Sequence, residues 1–117
     1  MGISKDETPK IGFLDSEIKE RLEIGVYKNG VPIISLYDSK EKQRLGMSVS
    51  DDRTSVISLY DSDGKTKLGM TAYDDGISVL GFCDSEGKVK LTISVSEDGT
   101  PTLEFYGPDG KAIRSLP

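Results

Sequence analysis

Apolar and polar residues alternate with period two along most of the chain. In Ile57-Ser-Leu-Tyr-Asp-Ser62, Ile57 and Leu59 fall on one side of an extended backbone, and further on Leu68, Met70 and Ala72 alternate with Gly69 and Thr71. That period is the signature of half-buried strands. Asp61-Ser62-Asp63-Gly64-Lys65 and Asp74-Asp75-Gly76 separate the runs, and Asp, Ser and Gly are the residues that make tight turns. The pattern predicts a β-hairpin that leads directly into the next one.

The hairpin recurs. Ile11-Gly-Phe-Leu-Asp-Ser16, Ile34-Ser-Leu-Tyr-Asp-Ser39, Ile57-Ser-Leu-Tyr-Asp-Ser62, Leu80-Gly-Phe-Cys-Asp-Ser85 and Leu103-Glu-Phe-Tyr-Gly-Pro108 start 23 residues apart without a slip. An internal repeat of this length decides the fold class. The prediction is an all-β antiparallel meander of nine to ten strands from four and a half repeats. The strands fall near 11–15, 22–27, 33–38, 45–50, 56–61, 68–73, 79–84, 91–96 and 102–106. A tenth, near 112–116, carries Arg114 where the repeat places Leu. The stretch Asp15–Ile24 also reads as a capped helix, but the repeat phase aligns Leu22, Ile24 and Val26 with Leu45, Met47 and Val49, which favours strand.

Matching the apolar sides sets the registers. Leu59 is expected opposite Leu68 and Ile57 opposite Met70, leaving Ser62-Asp63-Gly64-Lys65 as a four-residue loop. Across the following turn Ala72 is expected opposite Leu80 and Met70 opposite Phe82, with Asp75-Gly76-Ile77 as a three-residue loop. Gly30, Gly64, Gly76, Gly87, Gly99 and Gly110 fall at left-handed turn positions, and Arg53 stands where another Gly is expected.

One face then runs almost without polar interruption from Ile11 and Phe13 to Leu103 and Phe105. Exposed apolar patches of that extent are rare on soluble monomers. A polar leader, residues 1–10, is too short to cover it, and one β-repeat domain spans 11–117. The expectation is self-association into a homodimer or homotrimer; the alternative is a closed up-and-down barrel, for which Arg114 is an obstacle. The other face is mixed. Tyr37 is expected across from Arg44 and Tyr60 across from Lys67, and with Tyr106 these form a candidate interaction strip. The competing expectation is that the Tyr rings lie over neighbouring glycines and shield backbone.

The unit approximates I-S-L-Y-D-S-D-G-K-x-K/R-L-G-M-S-V-x-D-D-G-x-S/P. It resembles short tandem β-hairpin repeats of uncharacterised bacterial proteins, built on L-x-L-x-D-x-x-G-K-x-R with a D-G-x-P turn. The resemblance covers residues 11–111 and implies a repeat array with no assigned chemistry. The first unit departs from it at Glu17-Ile18 and the fifth at Gly107-Pro108, as end units of an array do.

The 117 residues suit one domain, with 35% hydrophobic and 30% charged positions. A net charge of −5 and the lack of a basic run disfavour nucleic-acid partners. No apolar run approaches a membrane span, and the polar leader has no signal core, so a cytoplasmic location is expected if the chain is complete. The chain has no His and one Cys, which leaves no disulfide framework and no His base. Cys83 takes a position held by Tyr in other units. The Asp-rich turns raise calcium, but Lys65, Lys88 and Lys111 follow their glycines, and Asp and Gly are ordinary turn residues. No catalytic, cofactor or metal residue is expected. The expected function is a non-enzymatic, self-assembling scaffold or interaction module; the alternative is a β-barrel carrier of a small apolar ligand.

Overall fold

A computed structural model describes residues 9–116. It is one ten-stranded antiparallel sheet in which every strand pairs with its sequence neighbours. The strands are β1 (Lys10–Leu14), β2 (Glu20–Val26), β3 (Pro32–Tyr37), β4 (Gln43–Val49), β5 (Ser55–Tyr60), β6 (Thr66–Ala72), β7 (Ser78–Cys83), β8 (Val89–Val95), β9 (Pro101–Tyr106) and β10 (Ala112–Leu116). The 15–26 segment is turn and strand, not helix, and 112–116 is a strand. Of the expected leader, residues 1–8 lie outside the described residues, and Lys10 already pairs with Gly25 in β1. The sheet does not close: β1 pairs with β2 alone and β10 with β9 alone, so the alternative barrel is not formed.

The nine turns share one hydrogen-bonding scheme. In each, a glycine or its substitute donates its N–H three residues back, and the first turn residue bonds the carbonyl four residues on; Gly64 to Asp61 and Asp61 to Lys65 are one example. The loop is therefore three residues, with the left-handed residue third. This corrects two expected loops. Ser62-Asp63-Gly64 is the loop of its hairpin, without Lys65. The next is Asp74-Asp75-Gly76, closed by Tyr73 and Ile77. Its register is therefore Ala72 opposite Ser78, Met70 opposite Leu80 and Leu68 opposite Phe82. The expected loop put Gly76 second, where a type I turn keeps φ negative; the third place admits its φ of 94°.

The expected pairs Leu59–Leu68 and Ile57–Met70 are present, yet Tyr60 pairs with Thr66. A β-bulge reconciles the two, with Lys67 as the extra residue. The same irregularity leaves Arg21, Arg44, Lys90 and Ile113 as extra residues in the equivalent hairpins. A bulge of this kind adds one residue to one strand and re-aims its neighbours.

The outcome is a row of apolar residues across all ten strands: Ile11, Ile24, Ile34, Met47, Ile57, Met70, Leu80, Ile93, Leu103 and Leu116. A second row beside it runs from Phe13 and Leu22 to Phe105 and ends on Arg114. Among the described residues no second layer lies over them. Among the described residues no hydrophobic side chain is buried, and Met70 and Ile93 remain 45% and 46% exposed. The buried positions among them are two glycines, Gly25 and Gly107, and two polar residues, Ser35 and Thr54.

Three non-glycine residues hold the left-handed turn position, Ile18 (φ 64°), Glu41 (φ 62°) and Arg53 (φ 68°). Left-handed backbone costs an L-residue about 1–2 kcal/mol, and a β-branched residue fits it worst. Glycine recovers that cost less its own extra chain entropy of roughly 0.5–1 kcal/mol. Ile18→Gly should raise stability by about 1 kcal/mol in denaturant titration, because the Ile18 side chain is 77% exposed and loses little packing. Gly64→Val should lower stability; no atom lies within 4 Å of an added Cβ there, so the loss reports backbone strain alone. A neutral result at either position would contradict the turn geometry.

Candidate functional site

The turn chemistry accounts for many of the aspartates. Asp15, Asp38, Asp61 and Asp84 open alternate turns, and one carboxylate oxygen of each accepts two backbone N–H bonds; for Asp61 these come from Asp63 at 2.9 Å and Lys65 at 3.0 Å. In the intervening turns the side chains of Asn29, Asp52, Asp75 and Asp98 accept the N–H two residues on. Backbone donors to the carboxylate favour its charged form. The four turn-opening aspartates are held below the ordinary carboxylate value chiefly by the N–H groups of Lys19, Lys42, Lys65 and Lys88. Asp98 is lowered from 3.8 to about 2, first by the Ser96 hydroxyl and then by Thr100. Among the described residues no three His, Cys, Asp or Glu side chains stand together as a metal group.

The bulges place the cations. Arg44 is not across from Tyr37, whose partner is Gln43. Its guanidinium instead reaches the next hairpin, where Nε donates to the Tyr60 carbonyl at 2.8 Å, while Nη1 stands 3.6 Å from Asp38. Arg21 does the same one unit earlier, donating to the Tyr37 carbonyl at 3.0 Å and pairing with Asp15 at 3.4 Å. Lys90 reaches the Gly107 carbonyl at 3.3 Å and Asp84 at 3.8 Å. Lys67, paired with neither Tyr60 nor an aromatic face, acts electrostatically on Asp61 and Cys83. Arg21, Arg44 and Lys90 therefore each tie their hairpin to the following one. Arg21 and Lys90 were not expected in this role, although a basic residue stands six after each turn-opening Asp in the sequence.

The Tyr side chains of the strip are half-buried. Tyr60 lies over Gly46, where an added Cβ would stand 3.7 Å from Tyr60 Cε2 and 2.7 Å from Gln43 Nε2. Gln43 Nε2 donates to Ser35 Oγ at 3.1 Å. Tyr106 donates its hydroxyl to Glu104 at 3.2 Å. At Tyr37 burial, with the Glu23 charge next, pushes the phenol up. Burial likewise pushes the Cys83 thiol up, assisted by Asp84, and a protonated thiol is a poor nucleophile.

One of the apolar rows borders a concavity. A trough of about 950 Å³ lies over the end of the sheet that carries the turns after β2, β4, β6 and β8, lined by Ile24, Ile34, Met47, Ile57, Met70, Ile93 and their neighbours. Its wall is almost wholly apolar, so it has burial to offer and little to orient a bound group.

No protein-family model matches the chain, and no curated protein matches it significantly.

A folded value below the unfolded one means that the charged turn carboxylates favour folding above the unfolded carboxylate pKa. The contribution fades as pH falls through the folded value. For Asp98 that window lies between 3.8 and about 2. Carboxyl-carbon NMR should find Asp98 titrating near 2 in the wild type and markedly higher in Ser96→Ala. An unchanged midpoint in the variant would show that the hydroxyl is not what holds it down.

Proposed function

We propose that this chain is a non-enzymatic structural or interaction module, a β-repeat scaffold that assembles with copies of itself through its apolar face. The observation that carries the reading is the two-row apolar surface spanning the sheet with no layer over it. An apolar sheet face needs a second layer, and an identical copy supplies one without further sequence. The turns and the mixed face are engaged in holding the array together: aspartates cap turns, cations bind neighbouring carbonyls, and a Tyr ring covers glycine. The strip Tyr37, Arg44, Tyr60, Lys67 and Tyr106 is on this reading part of the array's own bracing.

The trough favours a second reading, a carrier of a small apolar ligand, because about 950 Å³ is enough for one. The apolar rows extend beyond the trough to Phe13 and Phe105, more surface than a small ligand covers, which favours the scaffold.

Light scattering coupled to size exclusion should give a mass of two or three chains for the wild type. Leu59→Asp and Met70→Asp should each split it into smaller soluble species, because one buried unpaired carboxylate costs the interface several kcal/mol. A strictly monomeric wild type at micromolar concentration that takes up an apolar fluorophore would overturn the scaffold in favour of the carrier.

A further inference from the structure

We propose that two copies join edge to edge, β10 of each pairing antiparallel with β1 of the other in the register of the repeat, so that their apolar faces close on one another. This deepens the self-association reading and rests on it.

Both outer strands are exposed along their whole length. Ten is an even number of strands, so β1 and β10 run in opposite directions, and a β1 set beyond β10 continues the antiparallel order. The repeat supplies the register. β10 is equivalent to β8 one unit earlier, and β1 to β9 four units later. The pairs Leu91–Phe105, Thr92–Glu104 and Ile93–Leu103 become Arg114 with Phe13, Ser115 with Gly12 and Leu116 with Ile11 of the second copy.

The two ends depart from the repeat in matching ways. In the first two units a bulged cation bonds the backbone carbonyl of a tyrosine in the next hairpin, Arg21 at Tyr37 and Arg44 at Tyr60. At the ends those two positions hold Ile113, 71% exposed, and Leu14, 58% exposed, so an apolar pair replaces the cation and its partner. Arg114 interrupts the apolar row at its last place, paired with Phe105 of its own chain. In the junction Phe13 of the second copy flanks it on the other side, and guanidinium between aromatic rings is a favourable arrangement.

A two-fold axis parallel to the strands makes both junctions at once. It sets β1 against β10 at each side, antiparallel both times, with the apolar faces inward and no open edge. The ten strands, about 4.8 Å apart and about five residues deep, present roughly 800 Å² per copy. That is the share a standard stable interface takes from each partner, about 800 Å².

The test is a disulfide across the junction. Gly12→Cys and Ser115→Cys are combined in a Cys83→Ser background and oxidised with oxidised glutathione, with each single variant as control and light scattering on every sample. The expected result is a covalently linked dimer in the double variant and none in either single variant. Dimers by light scattering with no link between these positions, or a link in a single variant, would overturn the edge junction and leave face-to-face association standing. Linked species growing beyond two copies would overturn the two-fold closure. A wild-type monomer would overturn this proposal together with the reading on which it rests.

Discussion

The described residues form a sheet one layer thick, and none of them packs over its apolar side. Strand pairing satisfies the backbone, and each hairpin leans on the next, but the side chains of both apolar rows stay partly in water along the whole array. Burial is the dominant favourable term in folding, and here the fold withholds much of it. The turn caps, the bulges and the cross-hairpin cations hold this apolar surface in place on one side of the sheet.

The unit length follows from one device. With a three-residue loop, residues of equal parity face each other. In the hairpin after Tyr60 that rule alone would bring Lys67 and Gly69 to the apolar side and turn Leu68 and Met70 away. One bulged residue restores them. The turns after β2, β4, β6 and β8 need no such correction, because their strands already match, as Met70 and Leu80 do. One bulge per two strands makes the unit an odd number, 23, and the parity of the apolar positions accordingly switches between units, from Ile34 to Ile57. A register slip by one would invert a face, so the bulge is a structural requirement. The cations placed on it gain a second use as ties between hairpins.

Much of this was legible in the sequence, and the part that was not has a definite cause. Alternation assigns faces, and the repeat carries the assignment through weak stretches such as 15–26, so nine strands, their meander order and the facing of Leu59 on Leu68 follow from pattern. The tenth strand, with Arg114 in the apolar row, and the open edges are settled only by the structure. Alternation does not separate a four-residue loop from a three-residue loop plus a bulge, because both leave Leu59 on Leu68. The difference surfaces only beside the turn, and that is where the expected Tyr37–Arg44 and Tyr60–Lys67 pairs were displaced. It is equally blind to a shift of two, which is how Phe82 was set against Met70 instead of Leu68. Ile18 and Glu41 gave no local sign of a left-handed conformation; the array imposes it on them. The trough is a property of the assembled sheet, and no single unit encodes it.

If covering the apolar face is what completes the fold, stability belongs to the assembly and follows mass action. Thermal unfolding monitored by circular dichroism over about a hundredfold range of protein concentration tests this most directly. The account predicts a midpoint that rises steadily with concentration. A midpoint that stays fixed across the range, with a monomeric mass throughout, would show that the single layer stands on its own and would contradict the account.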